Sequence, residues 1–196
     1  GLSQIIIDLK RDGAKVRPIK NMAGGEDFNE VVFEDVVVPK DRIVGEAGNG
    51  WAQVTSELAY ERSGPERFLS AFRVFVELVR FCGPEPTEYQ ATVIGRIASH
   101  IMTLRRMSIS VAGMLESGKD VVVEAALVKE LGNNFEKLLP ELARVVGSDG
   151  FSDFSRDGDL FRRTFEDTML LSPSFTLRGG TREILRGVIA RGLGLR

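Results

Sequence analysis

A carboxylate and a guanidinium lie side by side in the segment LAYERSGPERF, residues 58–68. Glu61 and Arg62 belong to a helical pattern, yet Gly64 and Pro65, which both disfavour helix, follow within one turn. A glutamate held against a substrate in a dry site can remove a proton as a general base. The same pair on an ordinary helix would be a solvent-exposed ion pair, so the residues alone leave both interpretations open.

Pro65 determines the expected shape of this segment. Because proline has no N–H, the carbonyl of Glu61 loses its helical partner four residues later, and we expect the helix to kink there. A bent helix of this kind can form one wall of an active site.

Other kinds of chemistry are poorly represented. The formal net charge is −2, which gives no field that favours nucleic acid or an anionic membrane. No apolar run approaches the ~20 residues of a membrane span. Cys82 is the only cysteine, which excludes an internal disulfide and favours a reducing compartment such as the cytoplasm. His100, the only histidine, has no metal-ligand spacing around it.

The elements that would position Glu61 begin with strands. The stretches SQIIIDL, KVRPI and NEVVFEDVVVP are rich in β-branched residues and are separated by turn signals, so three or four strands are predicted within residues 1–46. So few strands cannot bury two sheet faces. A strand at the very start of the chain also suggests a fragment of a larger protein.

From about residue 47 the apolar period becomes helical. Each of three stripes is expected to be the buried face of a helical segment: Trp51, Val54, Leu58, Glu61, Phe68, Phe72, Phe75 or Val76, and Val79; Ile94, Ile97, Ile101, Leu104, Val111 and Leu115; Leu127, Leu131, Phe135, Leu138, Leu142 and Val145. Shorter helices are predicted at 158–169 and from Thr181 to about Arg191. The predicted fold class is mainly α, with strands at 1–46 and an up-and-down helical bundle at 47–196.

Two stretches resemble the acyl-CoA dehydrogenase family: DFNEVVFEDVVVPKDRIVGEAGNGW and the closing motif GGTREILRGVIARGLGLR. The resemblance implies the end of the family's middle β-domain followed by its C-terminal four-helix bundle. It also implies FAD-dependent α,β-dehydrogenation of an acyl-CoA, electron transfer to an electron-transferring flavoprotein, and a homo-oligomer, dimer or tetramer. The chain alone is expected to fold its bundle, bind no FAD and be inactive, and its exposed strands should promote self-association.

The same resemblance assigns the catalytic base. Many members of the family place a glutamate just before the closing Gly-Thr, where this chain has Gly179. Other members place it on the first long bundle helix, ahead of an arginine, and the AYERS segment matches that arrangement. Glu61 is therefore the predicted base, with Tyr60 and Arg62 beside the substrate.

The family's flavin contacts are matched only in part. Gln90 keeps its spacing of seven residues from Gly83, but Val79 and Cys82 stand where the family has an arginine and an aromatic residue. The assigned flavin contacts are Arg80, Gln90, Arg144, Gly147, Thr181 and Glu183. These departures keep two alternatives open: a catalytically silent partner subunit of a heteromeric dehydrogenase, and a flavin oxidase or monooxygenase of the same fold.

Overall fold

A computed structural model describes residues 1–148 and 155–195. The chain divides into two compact units, Gly1–Leu58 and Ala59–Arg196. Helices dominate, which confirms the predicted fold class. None of the helices within the described ranges is long and apolar enough to cross a membrane.

Two strands form an antiparallel pair in the first unit, β1 (Ala14–Ile19) and β2 (Phe28–Phe33). The prediction of three or four strands was wrong for the described residues, because SQIIIDL and the VVVP end of the third stretch are not strands. Residues 2–6 make isolated bridges to residues 43 and 49 rather than a continuous ladder. A β-branched stretch without a continuous partner backbone does not become a strand.

Six helices are described: α1 (Gly50–Ser63), α2 (Phe72–Cys82), α3 (Glu88–Glu116), α4 (Val122–Val146), α5 (Arg156–Leu171) and α6 (Arg182–Gly192). The expected kink is in fact a break. Gly64 adopts an extended conformation and Pro65–Arg67 forms a 3-10 turn, so α1 ends at Ser63. The next helix, α2, starts at Phe72, five residues after Arg67. An extended glycine followed by proline cannot continue the i to i−4 ladder.

The core of the second unit lies among α2, α3, α4 and α5. Ile97, Leu104 and Val111 of α3 are buried, which confirms the predicted stripe on that helix. Phe68 and Leu78 fill the space beside them. The stripe predicted for the first helix is wrong at both ends, because the Trp51, Val54, Phe72 and Val79 side chains are exposed.

The buried face of α4 differs from the prediction. Leu131 and Val145 are 44% and 50% exposed, whereas Lys129, Asn133 and Glu136 are fully buried. These three follow the i, i+4, i+7 spacing of one helical face. Lys129 and Glu136 can point inward because hydrogen-bond partners from distant segments meet them there.

Candidate active site

Glu61 lies in the last turn of α1 and forms an ion pair with Arg67. The Arg67 Nη2 atom donates to Glu61 Oε1 at 2.5 Å. The Arg67 side chain is only 8% exposed, whereas that of Glu61 is 41% exposed. The carboxylate therefore reaches the surface of its unit while its cationic partner stays inside.

The backbone of Glu61 is held by the same guanidinium. Pro65 offers no N–H to the Glu61 carbonyl, and Arg67 Nε donates to that carbonyl at 2.9 Å instead. The proline therefore frees an acceptor that the arginine two residues later uses. Sequence analysis missed Arg67, because a pair six residues apart cannot meet on a regular helix.

A second segment, Arg178–Thr181, meets Glu61 from the far end of the chain. A Cβ atom added to Gly179 would lie 3.5 Å from Glu61 Oε1 and 3.5 Å from Arg67 Nε. Arg62 Nε donates to the Gly179 carbonyl at 3.0 Å, so the two segments are also tied together. Burial lowers the pKa of the Arg62 guanidinium, and neighbouring Glu61 opposes that change.

Gly179 and Gly180 have φ values of +68° and +107°. A left-handed conformation of this kind favours glycine, since a side chain there would clash with its own backbone. The pair turns the chain sharply into α6 and leaves the space beside Glu61 free of side chain.

The predicted substrate residue Tyr60 precedes Glu61 in the last turns of α1. Its side chain is exposed and lines a cavity of about 330 Å³ together with Ser63, Gly64, Pro65, Ser108, Ala112, Leu115 and Glu116. Ser108 Oγ donates to the Ser63 carbonyl at 2.6 Å and joins α3 to the end of α1. The cavity therefore lies against the same helix end that carries Glu61.

The polar face of α4 lies beneath the arginines of the site. Lys129 Nζ donates to the Phe175 carbonyl at 3.0 Å, and the Ser70 N–H donates to Glu136 Oε1 at 3.0 Å. Burial lowers the pKa of Lys129 to about 8, an effect that nearby Glu136 opposes and Arg67 reinforces. Burial likewise raises the pKa of Glu136.

Arg178 extends this network to the glycine loop. Its Nη2 atom donates to Ser70 Oγ at 2.7 Å and lies 3.8 Å from Glu136 Oε2. The guanidinium also stacks over the Phe175 ring, 5.0 Å from its centroid. Arg178 and Arg62 therefore both anchor the glycine loop, which is the segment Arg178–Thr181.

Two predicted flavin contacts, Thr181 and Glu183, begin α6 beside this loop. Thr181 is the N-cap residue, although its side chain makes no cap hydrogen bond to the backbone. Hydrogen bonds from its own N–H and from the Thr181 hydroxyl lower the pKa of Glu183. Glu130 of α4 pairs with Arg182 and Arg186 and fixes this end of α6.

The other four predicted flavin contacts lie elsewhere on the bundle. Arg80 pairs with Glu77 and Arg144 pairs with Glu141, each within its own helix. Gln90 completes the capping box of α3 with Thr87, where its Oε1 atom accepts the Thr87 N–H. Gly147 lies against Phe161, whose ring would overlap an added Cβ atom.

These four residues share one end of the bundle, where α2 ends, α3 begins and α4 ends. Phe81, next to Arg80, stacks on Phe161 at 5.4 Å between ring centroids, and Phe161 packs on Gly147. Gly132, which contacts the Arg67 backbone, precedes Gly147 by fifteen residues, or roughly 22 Å along α4. The structure thus brings Glu61, Arg62, Thr181 and Glu183 to one region, with Tyr60 on the same helix end, and leaves Arg80, Gln90, Arg144 and Gly147 far from it. Within the described parts of the chain, no cluster of His, Cys, Asp and Glu is suited to hold a metal.

Comparison with known proteins gives a consistent result. Residues 48–194 match the family described as "Acyl-CoA dehydrogenase, C-terminal domain". The chain is 30% identical over 200 residues to acyl-CoA dehydrogenase IpdE1 of Mycobacterium tuberculosis and 29% identical over 202 residues to IpdE1 of Mycolicibacterium smegmatis. Both matches include the whole of this chain, but they include only 51% and 49% of the two relatives, respectively.

A solved structure shares the fold. The chain superposes on the "Tcur3481-Tcur3483 steroid ACAD" with a TM-score of 0.82 and 21% identity. The match covers 100% of this chain and 52% of that one. The chain therefore spans about half the length of the relatives and of the solved structure that it matches.

Proposed function

The chain belongs to the acyl-CoA dehydrogenase family, and we propose that it forms the C-terminal half of an FAD-dependent enzyme that oxidises acyl-CoA thioesters. The observation that carries this proposal is the 3.5 Å between Glu61 Oε1 and the Cβ position of Gly179. The two places where the family resemblance puts a catalytic base, Glu61 and the position of Gly179, meet in one region. In this chain Glu61 supplies the carboxylate there.

Glu61 would remove the proton from the carbon next to the thioester carbonyl. Its carboxylate is accessible, as a base that must touch substrate has to be, and Arg67 holds one of its oxygens. A bound acyl chain would cover this surface and displace water, which strengthens electrostatic interactions within the site. The Tyr60 cavity at the same helix end is a second surface that acyl-CoA would contact.

Arg62 has a positioning role in this proposal rather than a direct role in proton transfer. It is buried and donates to the Gly179 carbonyl, so it keeps the glycine loop beside Glu61. The absence of a side chain at Gly179 and Gly180 leaves room for the substrate's reacting carbons next to the carboxylate.

Two groups of described residues would hold FAD in this proposal. The Arg80 and Arg144 side chains are 60% and 53% exposed, and their guanidiniums suit a diphosphate. Thr181 and Glu183 stand at the start of α6 and suit polar contacts to the cofactor. When bound, FAD would accept the hydride that leaves the β-carbon.

Gly147 of one group of predicted flavin contacts lies roughly 22 Å along α4 from Gly132, which contacts the backbone of Arg67 near the other group, so the two groups are well separated on one chain. One FAD could be contacted by Arg80, Gln90, Arg144 and Gly147, the first group, of one subunit and by Thr181 and Glu183, the second group, of another. The family resemblance implies such sharing of the cofactor in a dimer or tetramer. Gln90 and Gly147 belong to the first group, although each also has a structural role in capping or packing.

Electron-transferring flavoprotein is the proposed electron acceptor, on the strength of the family resemblance. A cytoplasmic location is also part of the proposal and rests on Cys82 being the only cysteine of the chain.

A catalytically silent partner subunit is the second candidate function. Val79 and Cys82 replace the arginine and aromatic residue of the family's flavin-contact motif, and Arg144 replaces a glutamine. Both Arg80 and Arg144 are also paired with carboxylates of their own helices. These departures favour weak flavin binding, whereas Glu61 beside Gly179 favours activity.

An oxidation assay on the whole protein separates the candidates. Straight, branched and ring-bearing acyl-CoA thioesters would be offered with an artificial electron acceptor, and oxygen uptake would be recorded in parallel. Acceptor reduction without comparable oxygen uptake is the expected result. Oxygen uptake at the same rate would indicate an oxidase, and the absence of both in a flavin-loaded protein would indicate a silent subunit.

A further inference from the structure

We propose that Arg67 is the positioning residue that aims the Glu61 carboxylate at the substrate's α-proton. This inference rests on the proposed function, in which Glu61 is the base. Arg67 would bind Glu61 Oε1 and the Glu61 backbone carbonyl together, and so leave Oε2 to accept the proton.

The first support is the double contact made by one guanidinium. Arg67 Nη2 donates to Glu61 Oε1 at 2.5 Å, and Arg67 Nε donates to the Glu61 carbonyl oxygen at 2.9 Å. A planar guanidinium fixes the direction of both bonds, which a lysine ammonium does not. The side chain and the backbone of Glu61 are therefore held as one rigid unit.

The second support is the burial of Arg67 itself. Arg67 as a whole residue is only 6% exposed. Its backbone forms a 3-10 turn in which the Arg67 N–H donates to the Gly64 carbonyl at 3.1 Å. The Arg67 carbonyl packs so closely on Gly132 of α4 that an added Cβ atom would overlap it. The guanidinium thus has little freedom, and it transmits that restriction to the more exposed carboxylate.

The third support is the position of Arg67 relative to the glycine loop. Its Cζ and Nε atoms lie 3.5 Å from the Cβ position of Gly179, the same distance as Glu61 Oε1. The arginine therefore lies beside the segment against which the base must act. A general surface ion pair would not be expected to combine this location with a buried cation.

Other charges near Arg67 do not replace Glu61 as its partner. Glu66 Oε1 lies 3.7 Å from Arg67 Nε, but that side chain is 54% exposed and gives a longer contact. Lys129 is a neighbouring buried cation and repels Arg67. No other described cation is bonded to the Glu61 carboxylate. Loss of Arg67 would therefore leave this carboxylate free to rotate.

The test compares Arg67→Met and Arg67→Lys in the flavin-loaded whole protein, with Arg73→Met, an exposed arginine of α2, as the matched control. A base misplaced by about 1 Å costs on the order of 10²-fold in rate. We expect Arg67→Met to lower kcat by that order while KM stays within about threefold. Arg67→Lys, which keeps the charge but not the fork, should recover only part of the loss, and the control should be unaffected.

The same changes made in a Glu61→Gln protein separate positioning from a structural role. If Arg67 acts through Glu61, Arg67→Met and Arg67→Lys will slow the Glu61→Gln enzyme no further. An equal loss in both backgrounds would overturn the proposal, as would Arg67→Lys activity equal to the parent. Melting temperature and FAD content identify a misfolded Arg67→Met protein, in which case Arg67→Lys decides.

The two proposals fail in different ways. A Glu61→Gln protein as fast as the parent would contradict Glu61 as the base and, with it, the role of Arg67. A Glu61→Gln protein that is strongly impaired, together with Arg67 variants that retain full kcat, would overturn the role of Arg67 alone.

Discussion

Replacing Lys129 by methionine should change how the stability of the fold depends on pH. The Lys129 side chain is fully buried, and burial lowers its pKa from 10.5 to about 8. Methionine has a similar length and carries no charge, so the variant removes this titration while it fills most of the space. Glu136, whose pKa is raised by burial, would lose the attraction of Lys129.

The sign follows from proton binding. Above a pH of about 8 the folded protein releases the Lys129 proton, while the unfolded chain keeps it up to about 10.5. The unfolded state then binds more protons, so the contribution of Lys129 to stability rises with pH. Between about pH 7 and pH 9 the free energy of unfolding of the parent should rise by roughly 1.4 kcal/mol relative to the variant.

Chemical denaturation followed by far-UV circular dichroism at several pH values measures this difference. Lys137→Met is the matched control, because Lys137 lies on the same helix but is exposed. As the pH rises, the free energy of unfolding should increase equally in the parent and in the Lys137→Met control, and more than in the Lys129→Met protein. Equal pH dependence of the parent and the Lys129→Met protein would refute the argument that Lys129 is buried as a charged group.

Two further predictions concern glycines. Gly147→Ala should destabilise the fold by about 1–3 kcal/mol, because its Cβ atom would overlap the Phe161 ring. Gly113→Ala, in open space on α3, should instead stabilise the fold by about 0.5–1 kcal/mol. Thermal melting measures both changes, and a Gly147→Ala protein as stable as the parent would contradict the packing. Gly179→Glu should restore part of the activity of a Glu61→Gln enzyme, since the Cβ atom of the new side chain would lie 3.5 Å from the position of Glu61 Oε1, although the φ of +68° strains the substitution. An unchanged rate in a folded double variant would show that a carboxylate at 179 does not reach the substrate.

The sequence predicted the helices of the bundle well, because their apolar periodicity and glycine breaks are local signals. The start of α6 after Thr181 and the buried stripe of α3 are examples. The outcome at α4 shows the limit of this approach. Leu131 and Val145 fit an apolar stripe, yet the helix buries Lys129 and Glu136 because their partners come from residues 175 and 70.

The sequence identified part of the candidate site, since Glu61, Arg62, Thr181 and Glu183 were named from it and lie in one region of the structure. AYERS pointed to Glu61, and Pro65 correctly indicated a disturbed helix. The partner Arg67 depended on a 3-10 turn that brings a residue six positions away back onto Glu61, which no regular periodicity encodes. The role of Gly179 in three dimensions was likewise visible only once the two chain segments were seen together.

Anaerobic reduction of the enzyme-bound flavin by acyl-CoA is the most direct test of Glu61 as the base. In the whole protein, Glu61→Gln should slow flavin bleaching by on the order of 10²–10⁴-fold, because the amide cannot accept the α-proton. FAD content should be unchanged, and Glu57→Gln, an exposed glutamate one turn earlier on α1, should bleach at the parent rate. Bleaching of the Glu61→Gln protein within a few-fold of the parent would contradict the account.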